Sequence, residues 1–416
     1  MREDIRSYSL ITASYWSFTL TDGALRMLVL LHFHELGYNP LNIALLFLLY
    51  ELFGIITNLF GGWIASRLGL KVTLFAGLAT QAVALILLSF MQEGWLPWVS
   101  MAYVMMAQAL SGIAKDLTKM SAKSAVKLVV SDGPGRDSRG VLFTWVALLT
   151  GSKNALKGAG FFLGGFLLST LGFRMALWAM AGALVLVLIV SVLNIRQDLG
   201  RSKERVAFTG LFSKNRNINV LSAARCLLFG SRDVWFVVAL PLFLTDELGW
   251  SFSGVGGFLA VWVIGYGAVQ AAVPRMLRQT VSAQREARAV KDWGFALVAV
   301  SAAMAVSLQT EFHATVAVLA GLAVFGVVFA INSAVHSDLI LAYSDADTVT
   351  LNVGFYYMAN AAGRLLGTLL SGGIYLVGGL TGCLWASTLC VLGSAMLTVL
   401  LSEPPATPGV IATEYK

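Results

Sequence analysis

The stretch from Val141 to Leu168 reads VLFTWVALLTGSKNALKGAGFFLGGFLL. It is long enough to cross a bilayer, because a membrane-spanning helix needs about 20 mostly apolar residues. Similar windows recur along the 416 residues, so the sequence predicts an all-α membrane protein with twelve transmembrane helices. The predicted spans are residues 10–34, 41–65, 72–91, 97–119, 141–168, 174–194, 218–244, 252–273, 293–309, 314–337, 350–377 and 381–401.

The composition excludes several other classes of protein. Hydrophobic residues make up 57% of the chain and charged residues only 12%, whereas roughly 25% of an ordinary soluble domain is charged. A soluble enzyme, a disordered chain and a disulfide scaffold are therefore excluded. Cys226, Cys383 and Cys390 form no CxxC pattern, and the four histidines lack the spacing of a metal site. We expect no enzyme, catalytic residue, cofactor or metal.

One long polar segment, residues 195–217, divides the chain into two sets of six spans. The predicted organisation is an N-terminal bundle (1–194), a linker (195–217), a C-terminal bundle (218–402) and a tail (403–416). Lysine and arginine concentrate in alternate connections, including this linker. By the positive-inside rule, both termini and the linker should be cytoplasmic. The net charge of +7 then reflects membrane topology, and nucleic acid is not an expected partner.

Short repeats relate the two halves. The turn ELGY at residues 35–38 reappears as ELGW at residues 247–250. Asn154 precedes Lys157 in the fifth span, and Asn360 precedes Arg364 in the eleventh, each before a glycine-rich run. Both matches fall about half a chain apart, which predicts two pseudo-symmetric six-helix bundles of the kind found in parallel-repeat transporters.

Ionisable residues inside the predicted spans are numerous, and each is expected to face a cavity or a partner because burial in lipid is unfavourable. The deep cations are Arg26, Lys115, Lys119, Lys153, Lys157, Arg225, Arg232 and Arg364. The deep acids are Asp22, Glu51, Asp116, Asp233 and Asp338. This positive excess predicts a cavity for a small, multiply charged oxyanion or organic phosphate, since guanidinium groups match phosphate and carboxylate oxygens.

Several of these groups allow two interpretations. Asp22 and Arg26 lie one helical turn apart, so they either neutralise each other or serve a site. Glu51 is either a protonated structural acid or a proton carrier. Lys153 and Lys157 lie mid-span with no acid on the same helix, which favours an aqueous cavity.

Two polar groups extend the candidate site beyond the cations. Asn154 lies beside Lys153 in the fifth span, and Tyr356 and Asn360 share one face of the eleventh span with Arg364 at a spacing of four residues. We expect all three to contact the anion.

Twelve spans in two halves resemble the major facilitator superfamily. The loop GWIASRLGLK at residues 62–71 is similar to the signature between its second and third helices, with Ser66 where an aspartate is usual. The run GFFLGG at residues 160–165 resembles the fifth-helix motif of exporters without its proline.

Three segments resemble ArsJ-type organoarsenical efflux permeases more closely: TDGALRM at 21–27, SGIAKDL at 111–117 and GSKNALKG at 151–158. The resemblance implies a monomer in the bacterial inner membrane that exports 1-arseno-3-phosphoglycerate, and a functional link to glyceraldehyde-3-phosphate dehydrogenase, which makes this ester. Arg26 and Arg232 would clamp its anionic ends, as paired arginines do in organic-phosphate antiporters of the superfamily.

The remaining roles follow from the same hypothesis. Lys119, Lys153, Lys157 and Arg364 would add positive charge around the ester, and Asp22 and Glu51 would carry protons. Two alternatives stay open: a transporter, including an importer, of another organic phosphate or carboxylate, and a non-transporting membrane receptor.

Overall fold

The computed structural model describes residues 2–57, 69–130, 138–195, 215–277, 283–310, 314–344 and 349–402, and these parts of the chain form helices and short connections. Most of the signature loop at 62–71, most of the linker at 195–217 and the tail from residue 403 lie outside the described residues.

In the N-terminal half, the helices are α1 (Arg2–Glu35), α2 (Pro40–Leu46), α3 (Leu70–Ser89), α4 (Pro97–Val130) and α5 (Ser138–Asn194). A turn at Phe47 separates α2 from a helical continuation at residues 48–57. In the C-terminal half, the helices are α6 (Arg216–Phe236), α7 (Ala239–Asp246), α8 (Phe252–Leu277), α9 (Ala283–Gln309), α10 (Ala314–Ala342) and α11 (Val349–Val399).

The two longest helices each contain two spans. Helix α5 has 57 residues and would extend about 85 Å if straight, nearly three times the thickness of the bilayer core. It breaks at Gly172, where φ is 71°, and α11 breaks in the same way at Gly379, where φ is 57°. Glycine adopts these positive φ angles without the strain that a Cβ would cause. With these breaks, the helices of the described residues run in twelve segments that correspond in order to the twelve predicted spans.

The seventh span is interrupted between α6 and α7. Helix α6 ends at Phe236, and the backbone N–H groups of Val238 and Ala239 donate to the Ser371 hydroxyl of α11 at 3.2 and 3.1 Å. A side chain from the neighbouring helix thus satisfies two backbone groups that the break leaves unpaired. Within the described residues, eight segments have the length and hydropathy to cross a membrane.

Small residues bring the helices together in the same pattern in both halves. In α5, Gly160 and Gly164 lie against the α1 backbone at Leu20 and Ala24. In α11, Gly363 and Gly367 lie correspondingly against the α6 backbone at Cys226 and Gly230.

The halves also meet each other through glycines. Gly158 and Gly165 of α5 lie against α8 at Ala260 and Phe252, and Gly372 of α11 lies against α2 at Pro40. The repeat seen in the sequence is therefore a repeat of helix packing.

Contacts close the two halves together at the distal end, which we define as the end that contains Glu35 and Asp246. His34 Nε2 lies 2.7 Å from Asp246 Oδ1, and the hydroxyls of Ser169 and Ser253 lie 3.1 Å apart. Each pair joins one half to the other, so the distal end is closed in this conformation.

Candidate functional site

A small enclosed cavity lies between the two halves, near the middle of the spans. We call it the central cavity. It is lined by Arg26, Asn154, Lys157, Arg232, Asp233, Phe236, Val237, Trp262, Val263, Tyr266 and Arg364. Its volume of about 50 Å³ is far below the roughly 300–1,000 Å³ of typical ligand pockets. The charged residues of the wall are four cations and one acid, which suits an anion.

Two buried carboxylates hold three of these cations. Glu51 accepts hydrogen bonds from Arg26 and, at 2.6 Å, from Arg364 Nη2. Asp233 accepts from Arg232 Nε at 2.7 Å and from Arg364 Nε at 3.4 Å. Both carboxylate side chains are 1% exposed. The result is a continuous chain of alternating charges, which we call the central charge chain. In order, its members are Arg26, Glu51, Arg364, Asp233 and Arg232.

The Glu51–Arg364 pair joins the two halves, because Glu51 follows α2 and Arg364 belongs to α11. The Asp233 pairs stay within the C-terminal half. Glu51 is therefore the acid through which the central charge chain crosses between bundles.

The local pairing of Asp22 with Arg26 does not form. The Asp22 carboxylate instead accepts a hydrogen bond from the Tyr50 hydroxyl at 2.7 Å, while Arg26 turns toward Glu51 and the rings of Phe47 and Tyr50. Arg26 therefore pairs with Glu51, a carboxylate that binds two cations, and not with Asp22, which lies one turn away on the same helix.

Lys157 differs from the three arginines. Its side chain is partly exposed and lines the central cavity. Within the described residues, no carboxylate lies within ion-pair distance of its ammonium group, and its Nζ atom lies 5.5 Å from the centre of the Phe161 ring. Asn154, one turn away on α5, donates to Gln270 of α8 at 3.3 Å. An ammonium group in such a position needs an anion or water to compensate its charge.

Four other predicted site residues do not line the central cavity: Lys119, Lys153, Tyr356 and Asn360. Lys119 donates to Asp116, three residues earlier on the same helix, at 3.2 Å. Tyr356 is buried, and its ring lies 5.0 Å from the Arg225 guanidinium. Of the polar face predicted for the eleventh span, Arg364 alone reaches the cavity wall.

An aromatic wall was absent from the sequence-based prediction. Phe236, Trp262 and Tyr266 line one side of the central cavity, and the last two rings stack at 5.8 Å. The Trp262 indole donates to the Leu322 carbonyl at 2.8 Å, which fixes its orientation. The spacing of four between Trp262 and Tyr266 was a usable signal, because it places both rings on one face of α8.

A second, larger cavity of about 610 Å³ opens at the distal end of the N-terminal half, beside Gly172. Its wall includes the carboxylates of Glu35 and Glu93 together with Arg174. The Arg174 guanidinium is occupied by a hydrogen bond to the Ser89 carbonyl at 2.9 Å. This cavity is less suited to an anion than the central cavity. Among the described residues, no cluster of three histidine, cysteine or acidic side chains has the arrangement of a metal site.

Two pseudo-symmetric helical halves around a charged central cavity define the class of multi-pass membrane transporters. The sequence model of the Major Facilitator Superfamily matches residues 10–341, and the chain therefore belongs to this superfamily. No curated protein matches the sequence significantly.

Solved structures show the same fold. A POT family transporter in complex with 5-aminolevulinic acid superposes with a TM-score of 0.74 at 14% identity, covering 95% of this chain and 96% of that one. The nucleoside transporter NupG (D323A mutant) superposes with a TM-score of 0.71 at 15% identity, covering 95% of this chain and 98% of that one. A bacterial homologue of the iron transporter ferroportin, in an inward-facing state, superposes with a TM-score of 0.70 at 13% identity, covering 95% of this chain and 98% of that one.

Proposed function

We propose that this transporter exports a small, multiply charged organic anion by alternating access, with 1-arseno-3-phosphoglycerate as the cargo and arsenate resistance as the physiological result. The observation that carries the proposal is the central cavity, where Arg26, Lys157, Arg232 and Arg364 converge against a single acid on the wall. These cations come from both halves, as a site that alternates between two sides of a membrane requires.

The chemistry of the wall fits an ester with an anionic group at each end. Arg26 lies on α1 and Arg232 on α6, so the two guanidinium groups face the cavity from opposite bundles. Each can bind phosphate or carboxylate oxygens in a bidentate manner, and Lys157 adds a point charge. Trivalent arsenite would instead call for clustered thiols, whereas Cys383 is buried and Cys226 and Cys390 do not line the cavity.

The biological setting follows from the cargo. The ester would be made in the cytoplasm by glyceraldehyde-3-phosphate dehydrogenase from arsenate, so the transporter would act in the bacterial inner membrane. Its termini would be cytoplasmic by the positive-inside rule. We expect a monomer, because each chain contains both halves of the site.

The test is uptake of labelled 3-phosphoglycerate, a stable organic phosphate, into inverted membrane vesicles, together with arsenate resistance of cells that express the dehydrogenase. Lys157→Met should lower uptake by roughly 10- to 100-fold, the effect of one lost hydrogen bond to a charged group. Lys153→Met is the matched control, since Lys153 lies on the same helix but outside the cavity wall.

The outcomes separate the hypotheses. Equal uptake by Lys157→Met and wild-type vesicles would exclude the cationic cavity as the anion site. Uptake of 3-phosphoglycerate without arsenate resistance would favour transport of another organic phosphate. A chain that moves neither this phosphate nor related carboxylates and confers no arsenate resistance would be better described as a receptor.

A further inference from the structure

We infer that Glu51 is the proton site of this transporter and that it binds its proton together with the anionic cargo, so that proton and anion cross the membrane in the same direction. The inference rests on the proposed function, because it concerns the same arginines. It differs from the proton antiport typical of efflux pumps in the sign of the coupling.

The first step is that Glu51 occupies the cations that the cargo needs. Its carboxylate accepts from Arg26 of the N-terminal half and from Arg364 of the C-terminal half. Both guanidinium groups also line the central cavity. An incoming phosphate or carboxylate therefore competes with Glu51 for the same donors, and the small size of the cavity agrees with arginines already drawn onto their internal counter-ions.

The second step concerns the charges around Glu51. The charged groups that face it are Arg26 on α1, Lys115 on α4 and Arg364 on α11, with Tyr50 beside it and Asp22 on the other side of Tyr50. Burial of the Glu51 carboxylate is unfavourable for its charge, and the three cations around it offset that cost while the site holds no cargo. When an anion takes over the arginines, Glu51 loses its partners and gains a negative neighbour, and both changes favour protonation.

The third step is reciprocity. If bound anion favours protonation of Glu51, then protonation of Glu51 must favour anion binding by the same factor. The step is balanced: one proton from bulk water adds to a Glu51 oxygen, the arginines stay protonated, and they transfer their hydrogen bonds from Glu51 to the anion. A proton and an anion that competed, as in antiport, would require the opposite arrangement.

Export remains compatible with this coupling. A cargo with several negative charges keeps a net negative charge after one proton joins it. An inside-negative membrane potential then drives the pair outward.

Asp233 is the alternative proton site and provides the matched comparison. It is as buried as Glu51 and also holds two arginines, Arg232 and Arg364, but it does so within the C-terminal half. Neutralising either acid releases an arginine, whereas only Glu51 joins the halves in the described part of the charge chain.

The experiment is calorimetric titration of the purified full-length protein with 3-phosphoglycerate at pH 8, in buffers that differ in ionisation enthalpy, which counts the protons taken up on binding. At this pH the free phosphate is fully ionised, since its second pKa is about 6. Wild type should take up about one proton more per bound anion than Glu51→Gln. The variant should bind the anion about tenfold more tightly or better. Asp233→Asn should lower the proton uptake by less than Glu51→Gln does, and an equal or larger loss in Asp233→Asn would assign the proton to Asp233 and overturn the inference.

Equal proton uptake by wild type and Glu51→Gln, or proton release by wild type, would overturn the inference while leaving the anion site intact. If Glu51→Gln does not fold, the wild-type count decides alone, because zero or negative uptake contradicts the coupling. Failure of wild type and both variants to bind the anion would instead contradict the proposed function.

Discussion

The first segments of α5 and α11 occupy equivalent places in the two halves, yet their cations are bound differently. Gly160 of α5 lies against α1, and Gly363 of α11 lies against α6, so the scaffold repeats. Arg364 bridges Glu51 and Asp233, whereas Lys157 has no carboxylate within ion-pair distance among the described residues. The duplicated fold thus supplies two cations that face the same cavity with different partners.

This difference indicates different roles for Arg364 and Lys157. A cation held by two carboxylates contributes to the stability and closure of the site, and it must be released before it binds cargo. A cation without a carboxylate is ready for an anion but is unfavourable in its absence. Substitutions at the two positions should therefore have opposite effects on stability.

The largest expected effect is the loss of Arg364. Arg364→Met leaves two buried carboxylates with one fewer partner each and should destabilise the protein by about 3–5 kcal/mol, the usual effect of breaking a buried ion pair. Lys157→Met should leave the thermal unfolding midpoint unchanged or raise it. The check is the unfolding midpoint of both variants in the same detergent.

A double variant tests the cause of that effect. Glu51→Gln together with Arg364→Met should recover part of the lost stability, because residues in contact do not act additively. Equal unfolding midpoints for Arg364→Met and Lys157→Met would show that the two cations are not bound differently after all.

The next largest effect on stability should come from replacing arginine by lysine at position 364, and the reverse replacement at position 157 is its counterpart. Arg364→Lys keeps the charge but loses the planar fork that reaches Glu51 and Asp233 at once. It should cost about 1.5–3 kcal/mol, the range for a hydrogen bond to a charged group. Lys157→Arg should retain uptake of 3-phosphoglycerate. If Arg364→Lys unfolds at the wild-type temperature, a single point charge suffices and the bridge has no special role.

Much of this comparison was accessible from the sequence. Hydropathy windows predicted the spans. An asparagine about one helical turn before a cation, three residues in Asn154–Lys157 and four in Asn360–Arg364, predicted the equivalence of the two cations. The excess of deep cations predicted the character of the cavity to which Arg26, Lys157, Arg232 and Arg364 all contribute. These features depend on local composition and on helical periodicity, which a single sequence contains.

The choice of partners was not accessible. Glu51 and Arg364 are 313 residues apart in the chain. No local rule identifies Glu51, among the five deep acids, as the partner of Arg364. The local rule for Asp22 and Arg26 was misleading, since Tyr50 and Glu51 provide the partners instead. Pairing of this kind depends on which helix faces meet, and that is decided by the packing of the whole bundle.

A smaller effect should come from the glycines through which each segment contacts the opposite half. A Cβ built on Gly158 lies 2.8 Å from the Ala260 carbonyl oxygen, and one on Gly372 meets Pro40 of α2. Gly158→Ala and Gly372→Ala should each destabilise the closed conformation by about 1–3 kcal/mol, as overpacking does, and should slow transport. Gly182→Ala is the control, because a Cβ there meets nothing within 4 Å.

If the halves are functionally equivalent at this level, Gly158→Ala and Gly372→Ala should slow transport to similar extents. A loss confined to one of them would mean that the scaffold, like the charges, is asymmetric. Loss of activity in Gly182→Ala would indicate that any added methyl group in these helices is harmful and that the cross-half contacts are not the cause.

The smallest expected effect concerns the pair that joins the halves outside the central cavity. His34 and Asp246 meet at the distal end with side chains that are 22% and 42% exposed. Exposed pairs contribute about 0–1 kcal/mol, so Asp246→Asn should raise the open fraction of the distal end by at most about fivefold. The check is the rate at which a water-soluble maleimide labels Ser253→Cys with and without Asp246→Asn, so that the altered Ser169–Ser253 contact is common to both proteins. Glu247→Gln in the same background is the control at the next residue. A larger increase for Asp246→Asn would show that closure depends on this exposed pair and not on the buried pair of Glu51 and Arg364 or on the helix packing between the halves.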